Sequence, residues 1–260
     1  MKFLQNVKAN TKPKYFTNYI IILVMLAVTL TMKMTGNLAR SNMTLLAQIS
    51  YSIILAVSLN LVVGFLGELS LGHAGFMCVG AYLGCYFANM LHDFISSPLL
   101  VLIISMLIGG LIAAVFGFII GLPALRLKGD YLAIVTLAFG EIVRTIFKNL
   151  KSFGGALGLD STRYKGNLFI VGFVVILFTL FIIQNIVRSK HGRAITAIRD
   201  NEIAAKAMGI NVTYYKLFVF VIAAFFAGVA GVFYGHYTTP VMYTFFSYNY
   251  SIEILVMVVL

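Results

Sequence analysis

The chain is poor in charge. Only 10% of its 260 residues are Asp, Glu, Lys or Arg, eight acidic and nineteen basic, where a soluble domain carries about a quarter. So few acidic groups exclude a disordered acidic protein. Set against 61% hydrophobic residues and a mean hydropathy of +0.98, they also argue against a water-soluble enzyme, because a globule this small cannot hide so much Leu, Ile, Val and Phe. Cysteine is scarce as well. Cys78 and Cys85 stand seven residues apart in an apolar run, roughly 10 Å along a helix and too far for a disulfide, so packing is their expected role. There is no HExxH or CxxC spacing, and His92, His191 and His236 lie far apart, so no metal site is expected. The dipeptide Gly-Lys is missing, which excludes a GxxxxGK[ST] phosphate loop.

What remains is apolar runs with basic residues between them. The runs cover about 17–32, 43–63, 74–91, 98–122, 131–147, 168–187 and 216–236, with an eighth beginning near Ser251. Several approach the roughly 20 residues needed to cross a bilayer. The third is short and Gly-rich, and the fifth is interrupted by Glu141 and Arg144, so these two read as tilted, broken or re-entrant. With the N-terminus inside, segments 1–16, 64–73, 121–130 and 188–216 hold 4, 0, 2 and 6 Lys and Arg, twelve in all, against six in 33–42, 92–97 and 148–167. The positive-inside rule therefore favours a cytoplasmic N-terminus. It explains the net charge of +11 better than nucleic acid does, since the basic residues gather on no single face. No small-residue cleavage site follows the first run, so it reads as an anchor and not a removable signal. The fold class expected is an all-α polytopic membrane bundle of about eight spans: a basic segment 1–16, then a single membrane domain 17–260 whose last run stops within an apolar stretch and looks truncated.

The most informative polar stretch is 188–216, RSKHGRAITAIRDNEIAAKAMGINVTYYK. Asp200 is placed to cap a short helix over 201–208, and Glu202 and Lys206 are spaced i,i+4 in the favourable order. Gly209 can end the helix in a left-handed turn. Ile203, Ala207 and Ile210 recur at helical spacing as a small apolar face. Such a helix suits insertion into a partner's groove, and equally suits an ordinary amphipathic surface helix.

Other polar groups lie at membrane depth. Glu68, Ser70 and His73 stand in GELSLGHAGF, where Gly64, Gly67, Gly72 and Gly75 disfavour a continuous helix. Broken backbone there is tolerated only if buried in protein or lining a wet cavity. The segment therefore reads either as a non-helical element near a translocation route or as a solvated turn. Ser70 and His73 do not make a hydrolase, for there is no GxSxG elbow and no acid partner. Glu141 and Arg144, three apart, read as a structural ion pair or as a gate. Asp130 reads as a helix cap. The GxxxG pairs Gly80/Gly84, Gly117/Gly121 and Gly231/Gly235 let helices approach closely, within the bundle or against another subunit. The tyrosines between Tyr234 and Tyr250 read as an interfacial belt.

The series Glu202, Ala204, Ala205 and Gly209, with Arg199 and Asp200 before it, resembles the cytoplasmic loop by which permeases of ATP-binding-cassette (ABC) importers dock on their ATPase subunits. The general pattern is Glu-Ala-Ala, three residues, then Gly. Here Ile203 is interposed, and the later Ile-x-Leu-Pro is replaced by NVTYYKL. Those departures are similar to the LivM-type permeases of branched-chain amino acid importers. So are GFLGELSLGHAGFMCVGAY at 64–82, RLKGDYLAIVTLAFGEIVRTI at 126–146, GGALGL at 154–159 and SIEILVMVVL at 251–260. The resemblance implies transport of leucine, isoleucine and valine across a bacterial inner membrane. It implies two ATP-binding subunits, a second homologous permease and an extracytoplasmic binding protein as partners. It also implies no catalytic residue and no cofactor in this chain, ATP and Mg being held by the ATPases. Urea or short-amide permeases share several of these signatures. An ion- or proton-driven carrier using Glu68 or Glu141, and more remotely a membrane-embedded enzyme, are the rivals of another class.

Overall fold

The structure, a computed structural model, describes residues 19–33, 35, 40–125, 127, 129–161, 164 and 166–260. The basic segment 1–16, together with the capping of the first run, lies outside the described residues.

The described chain is helical: α1 Tyr19–Lys33, α2 Arg40–Asn60, α3 His73–His92, α4 Pro98–Ala124, α5 Asp130–Asn149, α6 Leu168–Arg188, α7 Lys190–Asp200, α8 Glu202–Ala207, α9 Val212–Tyr237 and α10 Tyr248–Val259. Among the described residues no strand forms, and one antiparallel bridge joins Leu159 to Val241. Among the described residues, five helices are long and apolar enough to cross a membrane: Asn42–Leu66, His73–His92, Pro98–Ala124, Leu168–Arg188 and Val212–Tyr237. α1 and α10 are shorter apolar helices. α5 has the length, but Asp130, Glu141, Arg144 and Lys148 dilute its apolar character.

The third and fifth runs are continuous helices and not broken ones. The break falls just before α3. There α2 passes into a π-helical turn, Leu61–Leu66, and residues 67–72 leave helical geometry. The glycines of α3 survive inside a helix because neighbouring backbones replace the missing side chains. A Cβ on Gly80 would lie 2.3 Å from the Gly228 carbonyl oxygen of α9, and one on Gly231 would lie 2.1 Å from that of Met77. Gly84 meets Val232 and the Ser105 carbonyl, Gly235 meets Cys85, and Gly117 and Gly121 of α4 face Ala224 and Leu217. All three GxxxG pairs thus line contacts among α3, α4 and α9 of this chain. α9 is buried over most of its length, whereas α4 turns Leu107, Leu111, Val115 and Phe118 outward, as a helix bordering lipid does.

α3 separates two ends of the bundle. At its first residues lie the 67–72 break, α7 and α8. At its last turn Asn89 donates to the Asp160 carbonyl at 2.7 Å, beside Ser161 bonded to the Gly235 carbonyl and the Leu159–Val241 bridge. Residues 150–161 and 188–216 therefore sit at opposite ends. Two tyrosines of the stretch expected as a belt lie instead in a packed aromatic cluster: Tyr234 stacks on Phe245 at 4.3 Å, Phe245 meets Tyr250 at 4.4 Å, and both tyrosines are buried, while Tyr237 and Tyr243 are half-buried and Tyr248 is exposed. Cys78 and Cys85 are free and buried in the core.

Candidate functional site

The polar site is assembled at the α8 end from three stretches of chain. The first is 188–216. Ser189 caps α7, its hydroxyl accepting from the amides of His191 at 3.1 Å and Gly192 at 3.4 Å. α7 buries Gly192, Ile195 and Ile198 on one face. The sequence reading passed over this helix, although a Ser followed by apolar residues three apart was a usable signal. A Cβ at Gly192 would fall 1.9 Å from the Val187 carbonyl, so the tight turn from α6 into α7 needs glycine.

The cap of α8 is Asn201 and not Asp200. Asn201 has extended backbone, φ −159° and ψ 101°, and its Oδ1 accepts from Ala204 N at 3.0 Å. Asp200 is still the last residue of α7 and pairs with Arg199 at 3.1 Å. Asp130 likewise lies inside the first turn of α5, with Gly129 at the cap position. Gly209 ends α8 at φ +83°, its amide bonding to the Lys206 carbonyl while Ile210 N reaches that of Ala205. Ala205 is buried against the bundle and Ala204 faces out. The expected apolar face divides: Ile210 is half-buried against the core, whereas Ile203 is 79% exposed, Ala207 is exposed, and Met208 beside them is 83% exposed.

The second stretch is the break itself. Gly67 adopts φ +79°, and Glu68 N bonds to the Val62 carbonyl. Leu71 N donates to Thr136 Oγ1 on α5 at 3.0 Å, and Ala74 N to Ser251 Oγ on α10 at 3.2 Å. His73 is buried with Nε2 2.7 Å from Ser58 Oγ. The buried Ser70 hydroxyl has no partner, so Ser70 and His73 form no dyad.

The third is the start of α9, which carries a residue the sequence reading left unassigned. Lys216 Nζ lies 2.5 Å from Glu68 Oε1 and 3.1 Å from Glu202 Oε2, with its side chain only 4% exposed. Glu202 was expected to pair with Lys206, which instead is exposed. The buried ammonium has the greater need, since an unpaired buried charge costs several kcal/mol. Removing one partner of a buried pair typically costs about 3–5 kcal/mol for the same reason. The available signal was a lysine opening a long apolar run in a chain with only eight acidic residues. Arg199 adds a second tie, donating from Nη1 to the Gly64 carbonyl at 3.0 Å. A cleft lined by Leu125, Glu202, Lys206, Asn211 and Lys216 opens beside α8.

Glu68, expected beside a translocation route, thus comes together with Arg199 and Glu202 of the loop expected to dock on ATPase subunits. Glu141 and Arg144 form their own ion pair at 2.7 Å on α5, and Glu141 Oε1 also accepts from Tyr248 N at the start of α10. Among the described residues no three His, Cys, Asp or Glu side chains converge as metal ligands would.

The arrangement fastens a short exposed helix by charge to the break between α2 and α3. Comparison with known proteins gives a family context. The family model described as branched-chain amino acid transport system / permease component matches residues 41–260. The high-affinity branched-chain amino acid transport permease LivM of Salmonella typhimurium is 35% identical over 247 residues, covering 79% of this chain and 55% of the relative. The LivM protein of Escherichia coli is 35% identical over 242 residues with the same coverages. A probable LivM from Methanocaldococcus jannaschii is 30% identical over 226 residues, 73% of this chain and 65% of that protein. The chain thus spans about half the length of the two enterobacterial relatives. No solved structure matches.

Proposed function

Because this chain belongs to the family of permease components of branched-chain amino acid transport systems, we propose that it serves as a membrane-spanning permease subunit of an ABC importer for leucine, isoleucine and valine. Its partners in this reading are two ATP-binding subunits docking at α8, a second homologous permease and an extracytoplasmic binding protein. The chain sits in the bacterial inner membrane, with α1, α5 and α10 adding to the five longer spans and the N-terminus in the cytoplasm. ATP is hydrolysed on the partners. Binding energy there shifts the bundle between inward- and outward-open states, and it can do so only if the ATPases contact the two states differently. Glu141 and Arg144 border the pathway in this reading, while Glu68, Ser70 and His73 lie beside it.

The observation that carries the proposal is the exposed apolar tip of α8. Ile203 and Met208 are 79% and 83% exposed on a capped six-residue helix at a polar end of the molecule, where a solvated helix gains nothing from apolar side chains. A groove on a partner accounts for them. The test is copurification and uptake with the full-length protein. Ile203→Asp combined with Met208→Asp should strip the ATPases from the detergent-solubilised complex and abolish radiolabelled leucine uptake, leaving the permease folded. Leucine uptake that persists in a strain deleted for the gene would sink the reading. Uptake competed by urea and not by leucine would move it to the amide branch, and uptake surviving loss of the ATPases would make it an ion-driven carrier.

A further inference from the structure

The helix α8 is held to the bundle by little apolar contact. Ala205 is its one buried residue. Its firm attachments are charged, and they converge on the break between α2 and α3. Glu202 of α8 and Glu68 of the break share the Lys216 ammonium, at 3.1 and 2.5 Å. Arg199, at the end of α7, donates to the Gly64 carbonyl, and its stem covers Gly67, where a Cβ would lie 2.7 Å from Arg199 Cγ. The break is in turn fastened to two further helices, through Leu71 N to Thr136 on α5 and Ala74 N to Ser251 on α10, while His73 meets Ser58 on α2.

We infer that Lys216 is a positioning residue: it makes α8 and the Gly64–Gly72 break move as one body, so that a displacement of α8 is delivered directly to α2, α5 and α10. The inference rests on the proposed function for what displaces α8. The physical reason is the cost of separation. The Lys216 side chain is only 4% exposed, so pulling either Glu202 or Glu68 away leaves a largely desolvated ammonium half-paired. A joint built on apolar contact could slide, whereas this one resists until the charge finds another partner. The unpartnered Ser70 hydroxyl lies two residues from Glu68, within the segment that the joint would drive.

Two measurements on the full-length protein test this. The first needs no ATPase. Hydrogen exchange of Lys216→Met should speed at the backbone amides of 68–72 and of 202–208 together, at least fivefold in both, and Lys216→Arg should restore protection in both. Loss of protection in one segment alone overturns the joint. The second uses the assembled transporter in proteoliposomes. Lys216→Met should retain its ATPases and basal ATP turnover within twofold, while leucine accumulated per ATP falls at least tenfold, and Lys216→Arg should recover most of that ratio. An unchanged ratio overturns the inference, as does equal loss of the ATPases in both variants. Should Lys216→Met fail to accumulate, the isosteric Glu68→Gln carries both measurements with the same expected directions. Failure of the transport reading itself would appear in the wild-type assembly, without altering the exchange result.

Discussion

Arg199 and Gly64, 135 residues apart in the chain, are joined by a 3.0 Å hydrogen bond from the guanidinium to the backbone carbonyl. The bond lands inside the π-helical turn that ends α2, and the same arginine stem packs over Gly67. The two features make one element: a left-handed glycine permits the chain to leave α2, and an arginine from a distant helix fills the space that a side chain there would have taken.

Gly67→Ala should therefore be costly beyond its size. The backbone is at φ +79° and the new Cβ would meet Arg199 Cγ at 2.7 Å. A left-handed non-glycine residue costs roughly 1–2 kcal/mol. The midpoint of thermal unfolding in detergent should fall by roughly 2–8 °C for a chain of this size. An unaltered midpoint would show that the break is looser than its geometry.

The contact of α3 with α5 makes an asymmetric prediction. A Cβ on Gly75 would lie 2.6 Å from Gly140 Cα, while one on Gly140 would find its nearest atom, Gly75 N, at 3.7 Å. Gly140→Ala should be neutral or stabilising, because Ala favours helix by roughly 1 kcal/mol over Gly. Gly75→Ala should lose about 1–3 kcal/mol by forcing two backbones apart. Equal effects in the melting of the two variants would refute the packing described for these helices.

Asn201, and not Asp200, should control the stability of α8. Asn201→Ala removes the acceptor of the Ala204 amide, which is worth typically about 1 kcal/mol, so amide exchange across 204–207 should accelerate roughly fivefold. Asp200→Ala should leave those amides unchanged, since its carboxylate bonds to Arg199.

Glu141 can be divided into its two roles. Glu141→Gln keeps an oxygen for Tyr248 N but loses the ion pair with Arg144, whereas Glu141→Ala loses both. The alanine variant should be less stable than the glutamine variant by about 1 kcal/mol, the net value of one hydrogen bond. A gating role would show separately: Glu141→Gln would change leucine uptake with its melting temperature intact.

Much of this architecture was legible in the linear chain. Apolar run lengths located α2, α3, α4, α6 and α9, because hydropathy over about 20 residues is a local property. Gly209 and the glycines before His73 announced a left-handed stop and a break, because few other residues tolerate such backbone. Three of the readings that the structure changed show why the rest was not. Asp200 was preferred to Asn201 because both are good caps, and only the register of α7, whose ladder runs on to Asn201 N, decides between neighbours. Tyr234 and Tyr250 were counted with an interfacial belt because the pattern cannot tell a lipid-facing ring from one stacked inside. Lys216 looked like the edge of a span, since nothing near it in sequence says that Glu68 will be beside it.

The order of residues alone determined that this is a helical membrane protein with a polar helix between its sixth and seventh apolar runs. Those facts follow from composition, periodicity and motif, all short-range. Tertiary structure alone decided that the helix and the broken segment are fastened through one buried ammonium. A charge withdrawn from water takes whichever counter-charges the fold brings to it, and chain separations of 14 and 148 residues become equal neighbours only once the helices have packed.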